Sequence, residues 1–222
     1  MSINIAIDGP SGAGKSSAAK ALSKVLGYLY IDTGALYRAI GLFCIRNGVE
    51  NMKDEKQVTP MLDGLEVNLG FQNGEQRVYL NGEDVSGLIR TQPVAQAASD
   101  VSAHPPVRAF LLDLQRKIAA ENNVIMDGRD IGTVILPNAN VKFFLTANAR
   151  ARAERRTLEL KAKGIDANVE TVLREMEERD ANDSSRKTAP LKAADDALFV
   201  DNSDMTEQET VAYMAQIIKE RI

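Results

Sequence analysis

The chain of 222 residues contains one cysteine, one histidine and no tryptophan, and this scarcity narrows its possible chemistry. With only Cys44 present, an internal disulfide is excluded, and the apolar, apparently helical surroundings of Cys44 favour a core thiol over a catalytic one. His104 precedes two prolines at the start of a predicted helix. We therefore expect His104 to have a capping or surface role and not to act in acid–base catalysis.

Long apolar runs and a strong excess of positive charge are also missing. No apolar stretch approaches the roughly 20 residues that span a bilayer, and the first residues carry no basic segment followed by a hydrophobic block. We therefore expect a cytoplasmic protein with no membrane partner. Lys and Arg number 27 against 31 Asp and Glu, a net charge of −4, which argues against nucleic acid as a partner. An anionic ligand would have to be bound by local clusters.

What the sequence does contain is a regular alternation of strand and helix patterns. The predicted strands are INIAIDG, YLYID, VIMDG, VKFFLTA and ALFVDNS. The first two strands are each followed by a helical pattern, GKSSAAKALSKVLG and TGALYRAIGLFCIRNG. Thr33 is the predicted N-cap of the second helix. Further helices are predicted at about 148–163 and 168–182, and at the end of the chain. This order indicates an α/β fold with a parallel sheet covered by helices.

The pattern changes between residues 61 and 90. Asn73-Gly74 and Asn81-Gly82 are hairpin signals between short alternating stretches, so we predict a small antiparallel insertion. Two helices follow it, and Pro105-Pro106 opens the second.

The segment GPSGAGKS, between the first strand and the first helix, matches G-x-x-x-x-G-K-[ST] at every fixed position. Successive backbone N–H groups of such a loop turn inward around phosphate oxygens, and the following helix adds its positive end. Lys15 can reach the outer phosphates, and the hydroxyl of Ser16 or, less well in register, Ser17 can bind Mg²⁺. The predicted nucleotide-binding residues are Gly9, Pro10, Ser11, Gly12, Ala13, Gly14, Lys15, Ser16 and Ser17.

A P-loop serves motors, switches and kinases, and other patterns must separate them. The chain has neither a Walker-B Asp-Glu pair nor a guanine-reading Asn-Lys-x-Asp. Phosphoryl transfer to a small acceptor is therefore favoured over hydrolysis coupled to a partner. A regulatory nucleotide-binding protein with weak hydrolysis and a kinase for another acceptor, such as UMP, remain the alternatives.

Charged residues follow the strand VIMD at the edge of the sheet where ligands of open α/β folds bind. Asp127 is the candidate Mg²⁺ ligand, directly or through water, and a turn-capping aspartate is the alternative. Arg129 suits an acceptor phosphate, whereas Arg129 and Asp130 could also be ordinary loop residues in solvent.

Two charged helices offer further candidates. Arg152, Arg155 and Arg156 share one helix face, which suggests a lid over transferring phosphates or a solvated face with Glu partners. The second helix carries Arg179, Asp183 and Arg186 along one stripe. That stripe fits a salt-bridge ladder and a polar ligand site equally well.

Five stretches resemble the bacterial cytidylate kinases, a family of P-loop nucleoside monophosphate kinases: IAIDGPSGAGKSS, DTGALYRA, GEDVSGLIRTQPVAQAASDVSA, VIMDGRDIGTVILPNA and ERDANDSSRKTAPLKAADDAL. The resemblance implies one P-loop NTPase domain over residues 1–222, with a parallel sheet and helices on both faces. Its nucleoside-monophosphate-binding region would occupy about 33–102, including the hairpin insertion, and its arginine-rich lid about 150–165. The implied activity is transfer of the γ-phosphoryl group of ATP to CMP or dCMP with Mg²⁺, in pyrimidine nucleotide metabolism. We expect the protein to be a monomer.

The resemblance also implies roles for individual residues. The substrate-binding set would be Thr33, Tyr37, Arg38, Ser99, Arg108, Gly128, Arg129, Asp130, Arg179, Asp183 and Arg186. The catalytic set would be Lys15, Arg129, Arg152, Arg155 and Arg156, and Ser16 and Asp127 would bind the metal. Arg186 would support Asp183.

Overall fold

The computed structural model describes residues 2–222, which fall into two compact units. The first unit combines the chain up to Tyr28 with Asn123–Ile222, and the second unit is Leu29–Asn122. Among the described residues, no helix has both the length and the apolar character needed to cross a membrane.

The secondary structure alternates as the sequence predicts in the first unit and is richer in short elements in the second. In chain order the elements are β1 (Asn4–Asp8), α1 (Lys15–Leu26), β2 (Leu29–Asp32), α2 (Thr33–Arg46), α3 (Glu55–Val58), a 3₁₀ turn (Thr59–Leu62), β3 (Val67–Gln72), β4 (Glu75–Leu80), β5 (Glu83–Asp84), a second 3₁₀ turn (Leu88–Arg90), α4 (Gln92–Val101), α5 (Pro105–Glu121), β6 (Val124–Asp127), a π-helical turn (Ile131–Ile135), β7 (Val141–Thr146), α6 (Ala149–Ala162), α7 (Val169–Ser184), β8 (Leu198–Asp201) and α8 (Glu207–Arg221).

Parallel strands form the centre of the first unit. β1 lies between β6 and β7, with Ile7 opposite Asp127 on one side and opposite Phe143 on the other, and β8 pairs with the far edge of β7. Ile5 and Ile7 are fully buried, as expected for strands covered on both faces. The predicted α/β fold with a parallel sheet is confirmed. Because the strands are parallel, Asp8 and Asp127 end neighbouring strands at the same edge of the sheet.

The second unit packs around α2 and contains the antiparallel sheet β3-β4-β5. Positive φ angles at Asn73 and Gly74 and again at Asn81 and Gly82 form the two turns, so the predicted hairpins are confirmed. Cys44 lies in this core without solvent exposure, and burial raises the pKa of its thiol to about 11. The prediction of an unreactive core thiol is therefore confirmed.

Three local predictions are corrected. Thr33 is the first residue of α2 and not its N-cap, because the Asp32 carboxylate accepts the Ala35 N–H at 3.1 Å. The predicted loop after Asp127 contains the π-helical turn Ile131–Ile135. His104 stands at the N-cap position of α5 without making a side-chain cap, and it is buried, with Nε2 donating to the Met52 carbonyl at 2.8 Å.

Close packing of α2 against α4 requires a glycine. A Cβ at Gly41 would lie 2.9 Å from the Ala98 backbone nitrogen and 3.1 Å from the Ala97 Cβ. In an open helical site, Gly→Ala stabilises by roughly 0.5–1 kcal/mol. We expect Gly41→Ala instead to lower the free energy of unfolding by about 1–3 kcal/mol, because the two helices must move apart.

Urea denaturation measures this effect, and Gly87→Ala is the control, since a Cβ at Gly87 meets no atom within 4 Å. A Gly41→Ala protein as stable as the wild type would contradict the packing argument.

Candidate active site

The loop between β1 and α1 is shaped by close backbone contacts. Gly9 has φ of 147°, and a Cβ there would lie 2.0 Å from the Leu145 carbonyl oxygen of β7. Gly12 has φ of 70°, and its Cβ would meet the Met176 side chain at 2.5 Å. No side chain fits at Gly9, and the positive φ at Gly12 disfavours one there, so the glycines of the motif let the loop curl directly against the sheet and α7.

Lys15 is the first residue of α1 and is only 6% exposed. Its Nζ donates to the Pro10 carbonyl of the same loop at 2.6 Å. Burial lowers the pKa of Lys15 well below its ordinary value, and the nearby Arg129 guanidinium lowers it further. Asp127, Asp180 and Asp8 act in the opposite direction on the pKa of Lys15. The Lys15 amine of this loop is therefore buried next to three carboxylates, whose negative charges favour its protonated form.

Ser16 and Asp127, the two predicted metal ligands, are in contact. The Ser16 hydroxyl donates to Oδ2 of Asp127 at 2.8 Å, and Asp127 is only 5% exposed at the end of β6. Within residues 2–222 there is no group of three or more His, Cys, Asp or Glu side chains arranged to hold a metal. A hydroxyl and one carboxylate nevertheless fit Mg²⁺, which takes oxygen ligands and usually keeps several waters alongside substrate phosphates.

Asp8, at the end of β1, is a buried acid that the sequence analysis missed. Its Oδ1 accepts the Ile131 N–H at 2.8 Å and its Oδ2 accepts the Gly132 N–H at 2.7 Å, which fixes the start of the π-helical turn. Burial raises the pKa of Asp8 to about 6, although these two N–H bonds act against the shift. Its place at the end of a predicted strand, the reasoning that selected Asp127, could have revealed it.

Arg129 and Asp183 come together beside the loop. Arg129 donates through Nε to Oδ2 of Asp183 at 2.8 Å and through Nη2 to the Ser11 hydroxyl at 3.0 Å. Arg186 also forms an ion pair with Asp183, whose side chain is only 3% exposed. Asp183 therefore lies between two arginines, while Arg179, one turn earlier on α7, is exposed.

The backbone groups of Gly128 and Asp130, on either side of Arg129, are held by hydrogen bonds. The Gly128 N–H donates to the Ile7 carbonyl at 3.1 Å, and the Gly128 carbonyl accepts from Nη1 of Arg129 at 3.3 Å. Asp130 is 4% exposed, and its carbonyl accepts the first backbone bonds of the π-helical turn.

The arginines of α6 have separate partners. Arg152 is 7% exposed and pairs with Asp180 at 2.6 Å, and it also donates to the Ser11 carbonyl at 2.6 Å. Arg155 donates to the side chain and the carbonyl of Asn202 at 3.0 and 2.7 Å. Arg156 pairs with Glu159 on the same helix. Of the three, Arg152 is fixed against the phosphate loop.

In the second unit, the remaining predicted substrate residues lie on α2, α4 and α5. Thr33 and Tyr37 are buried on α2, and the Arg108 guanidinium of α5 lies 5.4 Å from the centre of the Tyr37 ring. Arg38 pairs with Asp32 at 2.6 Å. Ser99 is half-buried on α4.

Comparison with known proteins identifies close relatives. A family model described as "Cytidylate kinase" matches residues 5–220. Proteins named cytidylate kinase from Caldanaerobacter subterraneus subsp. tengcongensis and Caldicellulosiruptor bescii are 49% and 46% identical to this chain, covering 99% and 97% of it and 96% and 95% of their own lengths. A crystal structure of an uncharacterized protein from Eubacterium ventriosum aligns over 100% of both chains with a TM-score of 0.52 at 14% identity, which is a likeness of fold alone.

The pKa of Asp8 generates a pH prediction. Because this pKa rises from 3.8 to about 6 on folding, the folded protein binds the proton more tightly than the unfolded chain. The contribution of Asp8 to stability is full below about pH 4 and is lost as the pH rises through 6. Between pH 5 and 7.5, we expect the unfolding free energy of the wild type to fall by about 1 kcal/mol relative to Asp8→Asn.

Urea denaturation of both proteins across this pH range measures the difference, with Asp166→Asn as the control for loss of an exposed carboxylate. A gap between wild type and Asp8→Asn that does not change with pH would show that the Asp8 pKa is not raised.

Proposed function

Since this chain belongs to the cytidylate kinase family, we propose that it transfers the γ-phosphoryl group of ATP to CMP or dCMP, giving ADP and CDP or dCDP. The observation that carries the proposal is the family match over residues 5–220, which includes the phosphate loop and the charged segments described above. As a kinase of this family, the protein uses a nucleotide, and its function lies in pyrimidine nucleotide metabolism.

For the donor, we assign the triphosphate of ATP to the loop Gly9–Ser17. The tight curl at Gly9 and Gly12 supports this role, because loops of this kind direct successive backbone N–H groups toward phosphate oxygens. Lys15 supplies a buried positive charge beside them. Ser16 and Asp127 would hold Mg²⁺, an ion that neutralises phosphate charge when bound.

For the acceptor, we propose roles in each unit taken by itself. In the first unit, the charged residues after β6 and on and after α7 would bind CMP, namely Gly128, Arg129, Asp130, Arg179, Asp183 and Arg186. In the second unit, we propose that CMP is bound by residues of α2, α4 and α5, namely Thr33, Tyr37, Arg38, Ser99 and Arg108. The pairing of Asp183 with two arginines supports an arrangement in which the carboxylate accepts hydrogen bonds from a base and arginines bind its phosphate.

Transfer of a phosphoryl group depends mainly on positioning and on neutralising the charge that develops in the transition state. We propose that five cationic side chains neutralise this transition-state charge: Lys15, Arg129, Arg152, Arg155 and Arg156. Five expectations from the sequence stay predictions. They are a lid at about 150–165, a monophosphate-binding region at about 33–102, a single domain over 1–222, a monomeric state and a cytoplasmic location.

A panel of acceptors tests the proposed function. We expect ADP release from ATP and Mg²⁺ to be stimulated at least tenfold by CMP and dCMP and much less by UMP, AMP and GMP. Lys15→Ala is the control for contaminating kinases and should lose the stimulation while remaining folded. Strong stimulation by another acceptor would indicate a different kinase, and hydrolysis that no monophosphate stimulates would indicate a regulatory protein.

The assignment of Asp183 to the acceptor generates a second prediction. Asp183→Asn keeps the size of the side chain but removes the charge that pairs with Arg129 and Arg186, so we expect the KM for CMP to rise about tenfold and the KM for ATP to change less than threefold. Glu178→Gln, an exposed change on the same helix, is the control. Equal increases in both KM values would indicate a structural role for Asp183.

A further inference from the structure

Asp180 of α7 links the phosphate loop to a buried arginine and has no role in the proposal above. Its Oδ1 accepts the Ser11 N–H at 2.8 Å, and its Oδ2 accepts from Nη1 of Arg152 at 2.6 Å. These partners lie 169 and 28 residues away along the chain. The Asp180 side chain is 15% exposed, so both interactions are largely shielded from water.

Arg152 contacts the carbonyl of the same loop residue. Its Nη1 donates to the Ser11 carbonyl at 2.6 Å, and its Nε donates to the Ala147 carbonyl at 3.1 Å. A guanidinium that is only 7% exposed requires a counter-charge, and Asp180 is the carboxylate with which it forms an ion pair. Ser11, Arg152 and Asp180 therefore form a closed network.

We propose that Asp180 is a positioning residue for phosphoryl transfer, an inference that rests on the function proposed above. Asp180 holds Arg152 in place and fixes the Ser11 N–H, so that the phosphate loop is already shaped before ATP binds. Without the carboxylate, Arg152 becomes an uncompensated buried charge and turns away from the loop toward water. The loop then has to be ordered by ATP itself, which weakens ATP binding and misplaces the γ-phosphoryl group.

The opposite interpretation is an inhibitory contact, in which Asp180 occupies an N–H group that ATP needs. The bonding of Ser11 favours the positioning role. Both the N–H and the carbonyl of Ser11 are used in the network, so Ser11 acts as a support of the loop. The loop Gly9–Ser17, to which we assign the triphosphate, has further backbone N–H groups that can serve the phosphates.

The test compares Asp180→Ala and Asp180→Asn with the wild type, with Glu178→Ala, an exposed change on the same helix, as the control. Steady-state kinetics give kcat and both KM values, titration with a non-hydrolysable ATP analogue gives its Kd, and urea denaturation verifies folding. We expect Asp180→Ala to lower kcat/KM for ATP at least tenfold, to weaken analogue binding at least fivefold, and to change the KM for CMP less than threefold. Asp180→Asn, which retains an acceptor for the Ser11 N–H, should show an intermediate loss.

A double-mutant cycle with Arg152→Ala isolates the network. We expect the double variant to be little worse than the poorer single variant, because both changes disrupt the same contact. The proposal would be overturned if the losses in kcat/KM for ATP of the two single variants multiplied in the double variant. It would also be overturned by a folded Asp180→Ala enzyme whose kcat/KM for ATP is within twofold of the wild-type value. Tighter analogue binding by Asp180→Ala would overturn it in favour of an inhibitory contact. The binding titration needs no acceptor, so a wild type without CMP-stimulated turnover would defeat the proposed function independently.

Discussion

The first unit depends on the mutual compensation of charges that are removed from water at the carboxyl edge of its sheet. Lys15 is buried there among Asp8, Asp127 and Asp180, with Arg129 nearby. An ionised group loses much of its hydration on burial and is tolerated only when opposite charges or hydrogen bonds replace the lost water. A change in one of these groups therefore alters the environment of the others.

Most of these charges act on the backbone as well as on each other. Asp8 holds the first N–H groups of the π-helical turn, Asp180 holds the Ser11 N–H, and Arg152 holds the Ser11 carbonyl. Asp180 and Asp183 lie three residues apart on α7, and each pairs with an arginine from another segment, Arg152 and Arg129 respectively. One face of α7 thus fixes two cations and the phosphate loop.

Much of the fold could be predicted because its signals are local. The strand patterns, the Asn-Gly turns and the P-loop each depend on residues within a few positions of one another, and the structure has the parallel sheet and the hairpins where these patterns indicated them. The bonds of Asp8 and Asp180 could not be predicted because their partners are distant: Asp8 bonds Ile131 across 123 residues. The N-cap at Thr33 was wrong because Asp32, one residue earlier, has an equally suitable oxygen and reaches the Ala35 N–H.

The isolation of Cys44 has a practical consequence. With its sulfur shielded in the core and its pKa near 11, it offers almost no thiolate to an electrophile at neutral pH. A cysteine introduced on the surface would then be the one position that maleimide dyes or spin labels modify in the folded chain. Two such cysteines in the same unit would allow a distance to be measured by fluorescence or spin resonance without first replacing Cys44.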